Sequence, residues 1–358
     1  MGCLEVNNLR KLFKNKRVLI TGDTGFKGSW LSLWLHELGS DVLGYALPAK
    51  DNSHFKLLRL DRQMHHVNGD IRDYSHLEKV FANFKPQILF HLAAQAIVRE
   101  SYLDPKTTFD TNIGGSVNIL ELIRKFKSIK SVIYVTSDKC YLNKELIRGY
   151  KEGDELGGKD PYSASKAAAE IVFFAYHNSF FNATKHSGIA SVRAGNVIGG
   201  GDWAKDRIIP DCFRSLKSGK PILIRNPDAT RPWQHVLDPL HGYLKLAMLL
   251  YGNPKKYSGS YNFGPNSRSI RTVKELGEKL THYFGKGYIK IRKESNAPHE
   301  SRLLHLDCRK ANNILDWHLM WDFDRAVFET VDWYKKVLGG AEVLSITKKQ
   351  INDFMRGC

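Results

Sequence analysis

The chain has little cysteine, and what it has is scattered. Cys3, Cys140, Cys212, Cys308 and Cys358 are odd in number, far apart and without a C-x-x-C pair. That pattern excludes a disulfide framework and a zinc site built on cysteine. Long apolar runs are missing as well: none approaches the roughly 20 residues that cross a bilayer, so no membrane attachment is expected. Met1 to Lys16 is mixed and basic, with no apolar leader core, which points to a cytoplasmic protein. Repeats and low-complexity tracts are absent. Acidic side chains are outnumbered: 37 Asp and Glu face 54 Lys and Arg, for a formal charge of +17 and a pI near 9.5. The basic residues spread through Arg10–Arg17, Arg124–Lys130, Lys255–Lys256 and Lys286–Lys293, with no stripe and no nucleic-acid-binding motif. Solubility and attraction of anionic nucleotides account for this charge, and no nucleic-acid partner is expected.

What is present is a core-forming chain of 358 residues, 42% of them hydrophobic. Short runs rich in Val, Ile, Leu and aromatics occur at Arg17–Ile20, Asp41–Tyr45, His65–Asn68, Gln87–His91, Ser131–Val135 and Ile189–Arg193. Helical stretches lie between them at Ser29–Leu38, Ser75–Phe84, Asn112–Phe126 and Pro161–Phe181. Repeated βαβ units predict an α/β fold, a doubly wound parallel (Rossmann) sheet with helices on both faces. From about Gly199 the texture changes to Gly, Pro and Trp loops, which reads as a smaller, mixed C-terminal substrate lobe. The expected division is a dinucleotide-binding domain over 15–195, with a return near 235–265, and a discontinuous second domain over 196–345.

Ile20 to Gly28 (ITGDTGFKG) joins the first strand to the first helix, on which Trp30, Leu31, Leu33, Trp34, Leu35 and Leu38 suggest one packed face. A strand, a Gly-rich turn and a helix aim unpaired backbone N–H groups at one point, where a pyrophosphate can sit. Gly22 permits the tight turn, Gly25 the approach of phosphate and Gly28 close helix–strand packing. Asp23, Thr24, Phe26 and Lys27 fill the intervening positions. The spacing G-x-x-G-x-x-G carries one more residue than G-x-G-x-x-G, so the motif by itself also fits an ordinary turn.

Tyr162 and Lys166 stand four apart, hence on one helix face. Asp160 and Pro161 supply an N-cap and a proline at the first helical position. The positive helix end and the lysine ammonium should lower the tyrosine pKa from about 10. A phenolate there can take the proton of a sugar hydroxyl as hydride leaves the same carbon. Y-x-x-x-K also arises by chance on amphipathic helices. Upstream, Val135 to Tyr141 (VTSDKCY) closes a strand with a hydroxyl, a carboxyl and an amine, at the end where this architecture places reacting groups. Ser137 is placed to bond the hydroxyl that Tyr162 deprotonates. The bland alternative is a polar turn with Asp138 and Lys139 paired in solvent.

The glycine motif, Ser137 and Tyr162-x-x-x-Lys166 together resemble the extended short-chain dehydrogenase/reductase family, in its nucleotide-sugar branch. Within that branch the likeness is greatest to members that dehydrate CDP-glucose. It is carried by Gly22–Trp30, His91–Gln95 (HLAAQ), Thr136–Tyr141, Arg193–Asp211 (RAGNVIGGGDWAKDRIIPD), Arg231–Val236 (RPWQHV) and Asn262–Pro265 (NFGP), in one order over most of 15–335. The resemblance implies a redox-neutral dehydration with NAD as cofactor. Hydride leaves sugar C4 while Tyr162 takes the hydroxyl proton and Lys166 holds phenolate and ribose. The C5 hydrogen is then acidic, water leaves from C6, and hydride returns to C6. In related dehydratases an Asp is the acid at the C6 oxygen and a Glu the base at C5. Here the pair is Asp138 and Lys139. A lysine at about 10.4 is protonated and removes no proton; burial lowers it and an ionised Asp138 raises it. Lys139 is therefore either a desolvated base or a cation that steadies the C5 enolate.

The resemblance further implies that Asp70 and Ile71 flank adenine, that Leu92, Ala93, Ala94 and Gln95 underlie the nicotinamide ribose, and that Asn112 braces the sheet. The acid that usually grips the adenosine ribose after the second strand is missing from Ala46-Leu47-Pro48. In the second lobe Arg231 offers bidentate contact to a diphosphate, with Arg207 helping. Asn196 has the position of a pyrophosphate contact, and Leu223 to Arg225 presents an edge whose backbone can read a pyrimidine. Glu300 is placed for ribose hydroxyls, while Trp233, His235 and His299 either shape the pocket or touch substrate. The expected partner is CDP-glucose or a related nucleotide sugar, and the expected assembly a homodimer or a tetramer. Cytosine against uracil stays open. A 4-epimerase or a dehydratase of another nucleotide hexose is the nearest rival; a non-catalytic NAD-binding regulatory protein is the rival of another class.

Overall fold

A computed structural model describes residues 2–182, 187–205, 207–265, 269–291 and 303–358. Seven parallel strands form the central sheet. β1 (Arg17–Thr21), β2 (Asp41–Ala46), β3 (His65–Asn68), β4 (Ile88–His91), β5 (Ser131–Val135) and β6 (Gly188–Arg193) are joined by a returning strand, Gly259–Asn262. Their order across the sheet is returning strand, β6, β5, β4, β1, β2, β3. The order reverses between β1 and β4, and every β1–β6 strand found coincides with a run read from the sequence to within one or two residues. Strands buried on both faces read as continuous apolar runs, and β1, β4 and β5 do so.

The helix after β1 runs from Phe26 to Glu37, three residues earlier than the sequence pattern suggested. It is not packed on one face only: Gly28 to Leu35 is buried throughout. The C-terminal helix Val343–Gly357 and the Gly200 loop cover its second side, with Trp34 Nε1 donating to Met355 Sδ at 3.3 Å and Trp30 Nε1 to the Gly200 carbonyl at 2.9 Å. The helix Leu237–Gly252 is likewise enclosed nearly all round and carries the chain back to the sheet, where Ser131 Oγ donates to the Ala247 carbonyl at 2.9 Å. An all-apolar helix is an interior helix. Outside the sheet, Ile208–Lys217, the pair Ile222–Ile224 with Ile289–Ile291, the pair Thr230–Pro232 with Ile270–Thr272, and Val273–Phe284 form a mixed lobe.

The tyrosine helix, Pro161–Tyr176, begins as its sequence dictates: the Asp160 side chain accepts from the Ser163 N–H at 2.9 Å, and Pro161 takes the first position. A fully buried ion pair fastens this helix to the sheet. Arg193 Nη2 of β6 donates to Glu170 Oε2 at 2.7 Å, Ser191 Oγ donates to the same oxygen at 2.9 Å, and Thr136 Oγ1 donates to Glu170 Oε1. Burial opposes the charge on Glu170, but Arg193 outweighs it and holds the carboxyl below its ordinary value. Arg193 Nη1 also donates to Tyr141 at 2.6 Å, and the Tyr141 hydroxyl to Asn262 Oδ1 at 2.8 Å. Removing one partner of such a pair strands a charge in the interior. Arg193→Met is expected to cost about 3–5 kcal/mol in urea unfolding, with part recovered in the Arg193→Met/Glu170→Gln double variant. A double variant no more stable than the single one contradicts this account.

Candidate active site

Gly22 sits at φ 80, a left-handed turn conformation, and a Cβ there would come within 2.7 Å of the Ala93 nitrogen. A Cβ on Gly28 would lie 2.1 Å from the Gly22 carbonyl oxygen, so the helix can start this close to the strand only with glycine. Gly25 is the N-cap of the helix and offers no side-chain cap. The first N–H groups of that helix are left to whatever enters the space before them. This is the cradle a pyrophosphate requires: hydrogen-bond donors, a positive helix end and no Cβ in the way.

The space is a single cavity of about 1850 Å³ over the carboxyl ends of the strands, reached from Ala46, Gly69, Leu92, Val135 and Ala194. Its volume exceeds the upper range of about 1,000 Å³ for one small-molecule site, leaving room for two ligands end to end. Gly22, Thr24, Gly25, Phe26, Lys27 and Gly28 line it at one side; Asp70, Ile71 and Leu92 to Gln95 continue the wall. Ser137, Asp138, Lys139, Tyr162 and Lys166 stand in the middle, and Asn196, Arg207, Leu223, Arg225 and Arg231 form the far wall. The structure thus brings these sequence-selected residues together, with one exception among those described. Asp23 is not on the wall. Its side chain turns under the glycine loop and is wholly enclosed against His66, so its carboxylate cannot touch a ligand in the cavity. Glu300 and His299 lie outside the described residues. Trp233 lines the cavity, whereas His235 is fully buried beneath it against Trp30 and Trp321.

Around the reacting groups the chemistry is set by burial. Ser137 Oγ donates to Asp138 Oδ1 at 2.9 Å and accepts from the Lys139 N–H at 3.2 Å. Asp138 is 4% exposed, not a solvated partner of Lys139, and a Cβ on Gly195 would fall 1.8 Å from its Oδ2. Burial drives the Tyr162 phenol up to about 12, against the Ser137 hydroxyl, which favours the phenolate. The direction is opposite to the sequence expectation: desolvation of the phenolate, with the Asp138 charge adding to it, outweighs the Ser137 hydroxyl and the Arg207 charge. Burial also brings Lys166 down to about 8, against the pull of Cys140 and Glu170, and Lys27 down to about 8, with Arg207 adding and Asp138 opposing. Burial thus drives the tyrosine and the lysine in opposite directions, each toward its neutral form, and an entering counter-charge works against that shift.

At the adenine end, Asp70 is already committed to Arg72, whose guanidinium reaches its carboxylate at 2.6 and 3.0 Å. Arg207 reaches Asp202 at 3.0 Å. Asn112 does not brace the sheet: it ties the Gln95 backbone in both directions, at 2.8 and 3.0 Å, and reaches Ser165 of the tyrosine helix at 2.9 Å. Sequence reasoning missed Glu170, Arg193 and Thr136. Glu170 was within reach, since it follows Lys166 by the same helical step of four that separates Lys166 from Tyr162; Arg193 and Thr136 become its partners only through strand order. No group of three or more His, Cys, Asp or Glu side chains able to hold a metal occurs among the described residues, and no described helix is long and apolar enough to cross a membrane.

Residues 19–330 match the family model described as GDP-mannose 4,6 dehydratase. A CDP-glucose 4,6-dehydratase of Salmonella typhimurium is 47% identical over 351 residues, covering 97% of this chain and 98% of the relative. In fold, a dTDP-glucose 4,6-dehydratase from Streptomyces venezuelae, solved with NAD bound, superposes with a TM-score of 0.77 at 23% identity, over 92% of this chain and 99% of that one. A UDP-glucose 4-epimerase from Thermotoga maritima, solved with UDP-glucose, does so with a TM-score of 0.76 at 23% identity, over 90% and 99%.

Two glycine substitutions separate turn geometry from helix propensity. Gly28→Ala forces its Cβ into backbone and is expected to lower stability by about 1–3 kcal/mol. Gly114→Ala, which meets nothing within 4 Å on a helical backbone, is expected to raise it by about 0.4–1 kcal/mol. Thermal unfolding of the two variants beside wild type reads both signs.

Proposed function

The chain belongs to the GDP-mannose 4,6 dehydratase family, and from that membership we propose that it removes water from a nucleotide-diphosphate hexose, CDP-D-glucose, to give CDP-4-keto-6-deoxy-D-glucose. The carrying observation is that Ser137, Asp138, Lys139, Tyr162 and Lys166 share one wall of a two-ligand cavity, between the glycine cradle and the arginine wall. NAD supplies the hydride acceptor at C4 and the hydride donor at C6, so the cycle needs no outside oxidant. The N–H groups after Gly25 hold its pyrophosphate, and Leu92 to Gln95 underlie its ribose. Residues 15–195 with the return near 235–265 serve the dinucleotide, and 196–345 the nucleotide sugar.

Tyr162 takes the C4 hydroxyl proton, with Ser137 hydrogen-bonded to the same oxygen and Lys166 stabilising the phenolate. Asp138, enclosed beside Gly195, gives a proton to the departing C6 hydroxyl. Lys139 acts at C5, where the proton is lost. Arg231, Arg207 and Asn196 bind the diphosphate, and Leu223 to Arg225 lies along the base. An excess of basic over acidic lining residues, two to one among the described residues, suits a doubly anionic ligand pair. The working form is a cytoplasmic homodimer, a reading supported by Ile171 and Phe174, 57% and 65% exposed on the outer face of the tyrosine helix.

Incubation with CDP-glucose and NAD in heavy water tests the reading: a 4-keto chromophore in alkali and deuterium at C5 are expected. A 4-epimer without deuterium at C5 would replace dehydration by epimerisation. Tyr162→Phe is expected to lower kcat by about 10²–10⁴-fold with unchanged folding. Lys139→Ala and Lys139→Arg divide the two roles at C5. Elimination retained by the Arg variant alone assigns a cation; elimination lost in both assigns a base.

A further inference from the structure

Asp23 is the one member of the glycine loop whose side chain leaves the ligand side, and the fold makes room for it. Gly44 of β2 stands where a Cβ would come within 2.0 Å of its Oδ2, and Gly44 pairs in register with Ile20 on one side and His66 on the other. The carboxylate therefore reaches across β2 to β3. There His66 Nδ1 lies 2.7 Å from Oδ2, with the Asp23 side chain 0% and the His66 side chain 11% exposed. Asp23 Oδ1 is buried with no hydrogen-bond partner among the described residues, so His66 is the side chain that answers this carboxylate.

The other ring nitrogen decides the charge. His66 Nε2 faces Asn68 Oδ1 at 3.0 Å. An acceptor at each nitrogen suits the imidazolium form, which donates from both. Phe55 closes the site, its ring centroid 5.0 Å from that of His66. The other charges facing the pair come from the neighbouring helical turn: Lys56 opposes protonation and is itself held by Asp61 at 2.6 Å. Burial works against the His66 charge, and Asp23 and Asn68 override it, raising the ring above its ordinary value; burial likewise raises Asp23, against His66. Both groups cling to protons. The ion pair exists above the raised pKa of Asp23 and is lost as pH rises through the raised pKa of His66.

We propose that the Asp23–His66 ion pair is the support on which the glycine loop keeps its dinucleotide-accepting shape, and that dinucleotide affinity falls as His66 loses its proton. The proposal rests on the reading of this loop as an NAD site. A neutral ring still donates one hydrogen bond through Nδ1 while the Asn68 amide turns over, but Asp23 then remains an enclosed anion without a counter-charge. Such a carboxylate is relieved by moving toward water, and it can do so only by drawing with it the backbone between Gly22, at φ 80, and the uncapped Gly25. That backbone leads directly into the first N–H groups of the helix, the ones a pyrophosphate uses. Asp23 and His66 are thus positioning residues, remote from the reacting atoms.

The test compares NAD binding by titration calorimetry to wild type and His66→Asn, whose amide keeps a neutral donor near the Nδ1 position. Wild type is expected to bind about fivefold more tightly than the variant near pH 6 and equally near pH 9, the difference between a charge-assisted and a neutral hydrogen bond. Comparing the two proteins cancels the other groups that titrate in the cavity, Lys27 and Lys166. By linkage, the His66 ring in wild type must titrate at higher pH with NAD than without, which NMR reads even where the variant does not fold. An affinity ratio unchanged between the two pH values, or a His66 titration indifferent to NAD, overturns the proposal and leaves the dinucleotide site standing. A wild type that binds no NAD at either pH overturns the site itself, and the proposal with it.

Discussion

A charge pair that never meets water holds the reacting end of this molecule together. Glu170 belongs to the helix that carries Tyr162 and Lys166; Arg193 belongs to β6; Thr136, which also donates to Glu170, immediately precedes Ser137 and Asp138. Three chain segments far apart in sequence are thereby pinned at one point, about two helical turns beyond the phenol. The arrangement costs desolvation energy that a hydrophobic contact would not, and its return is geometric. Reacting groups must be held within fractions of an ångström, and a buried pair whose carboxylate also accepts from Ser191 and Thr136 has few alternative positions.

Much of the architecture was legible because its signals are local. Strand runs, the Asp160–Pro161 helix start and the Gly22, Gly25 and Gly28 spacing each follow from backbone requirements within a few residues. The cavity wall was legible for a related reason: strand carboxyl ends collect whatever side chains follow the strands, and the order of the strands need only be correct. What escaped was three-dimensional in origin. Asp23 sits in a ligand motif yet turns inward because Gly44, some twenty positions later, leaves a hole beneath it. The Tyr162 pKa was read from its neighbours in sequence, a helix end and a lysine, whereas enclosure by the whole cavity sets its direction. The helix after β1 looked one-faced because the segments that cover its other side lie at Gly200 and beyond Val343.

Charge shows the same contrast. Along the chain the basic residues are dispersed, and their number suggests little beyond solubility. Folding gathers basic lining residues around the cavity from the glycine turn, the loops after β3 and β4, the tyrosine helix and the second lobe. Two of them, Lys27 and Lys166, are depressed by burial to about 8. An interior lined in this way is strained by its own charge until anions enter it, and ligand entry discharges part of that strain into binding.

The tyrosine helix has two working faces. One carries Tyr162 and Lys166 toward the cavity and Glu170 against the sheet; the other presents Ile171 and Phe174 outward. A second copy resting on the outer face would stiffen the same rod that sets the phenol's position. Catalytic output per molecule would then depend on how concentrated the protein is, declining on dilution before any unfolding could be seen.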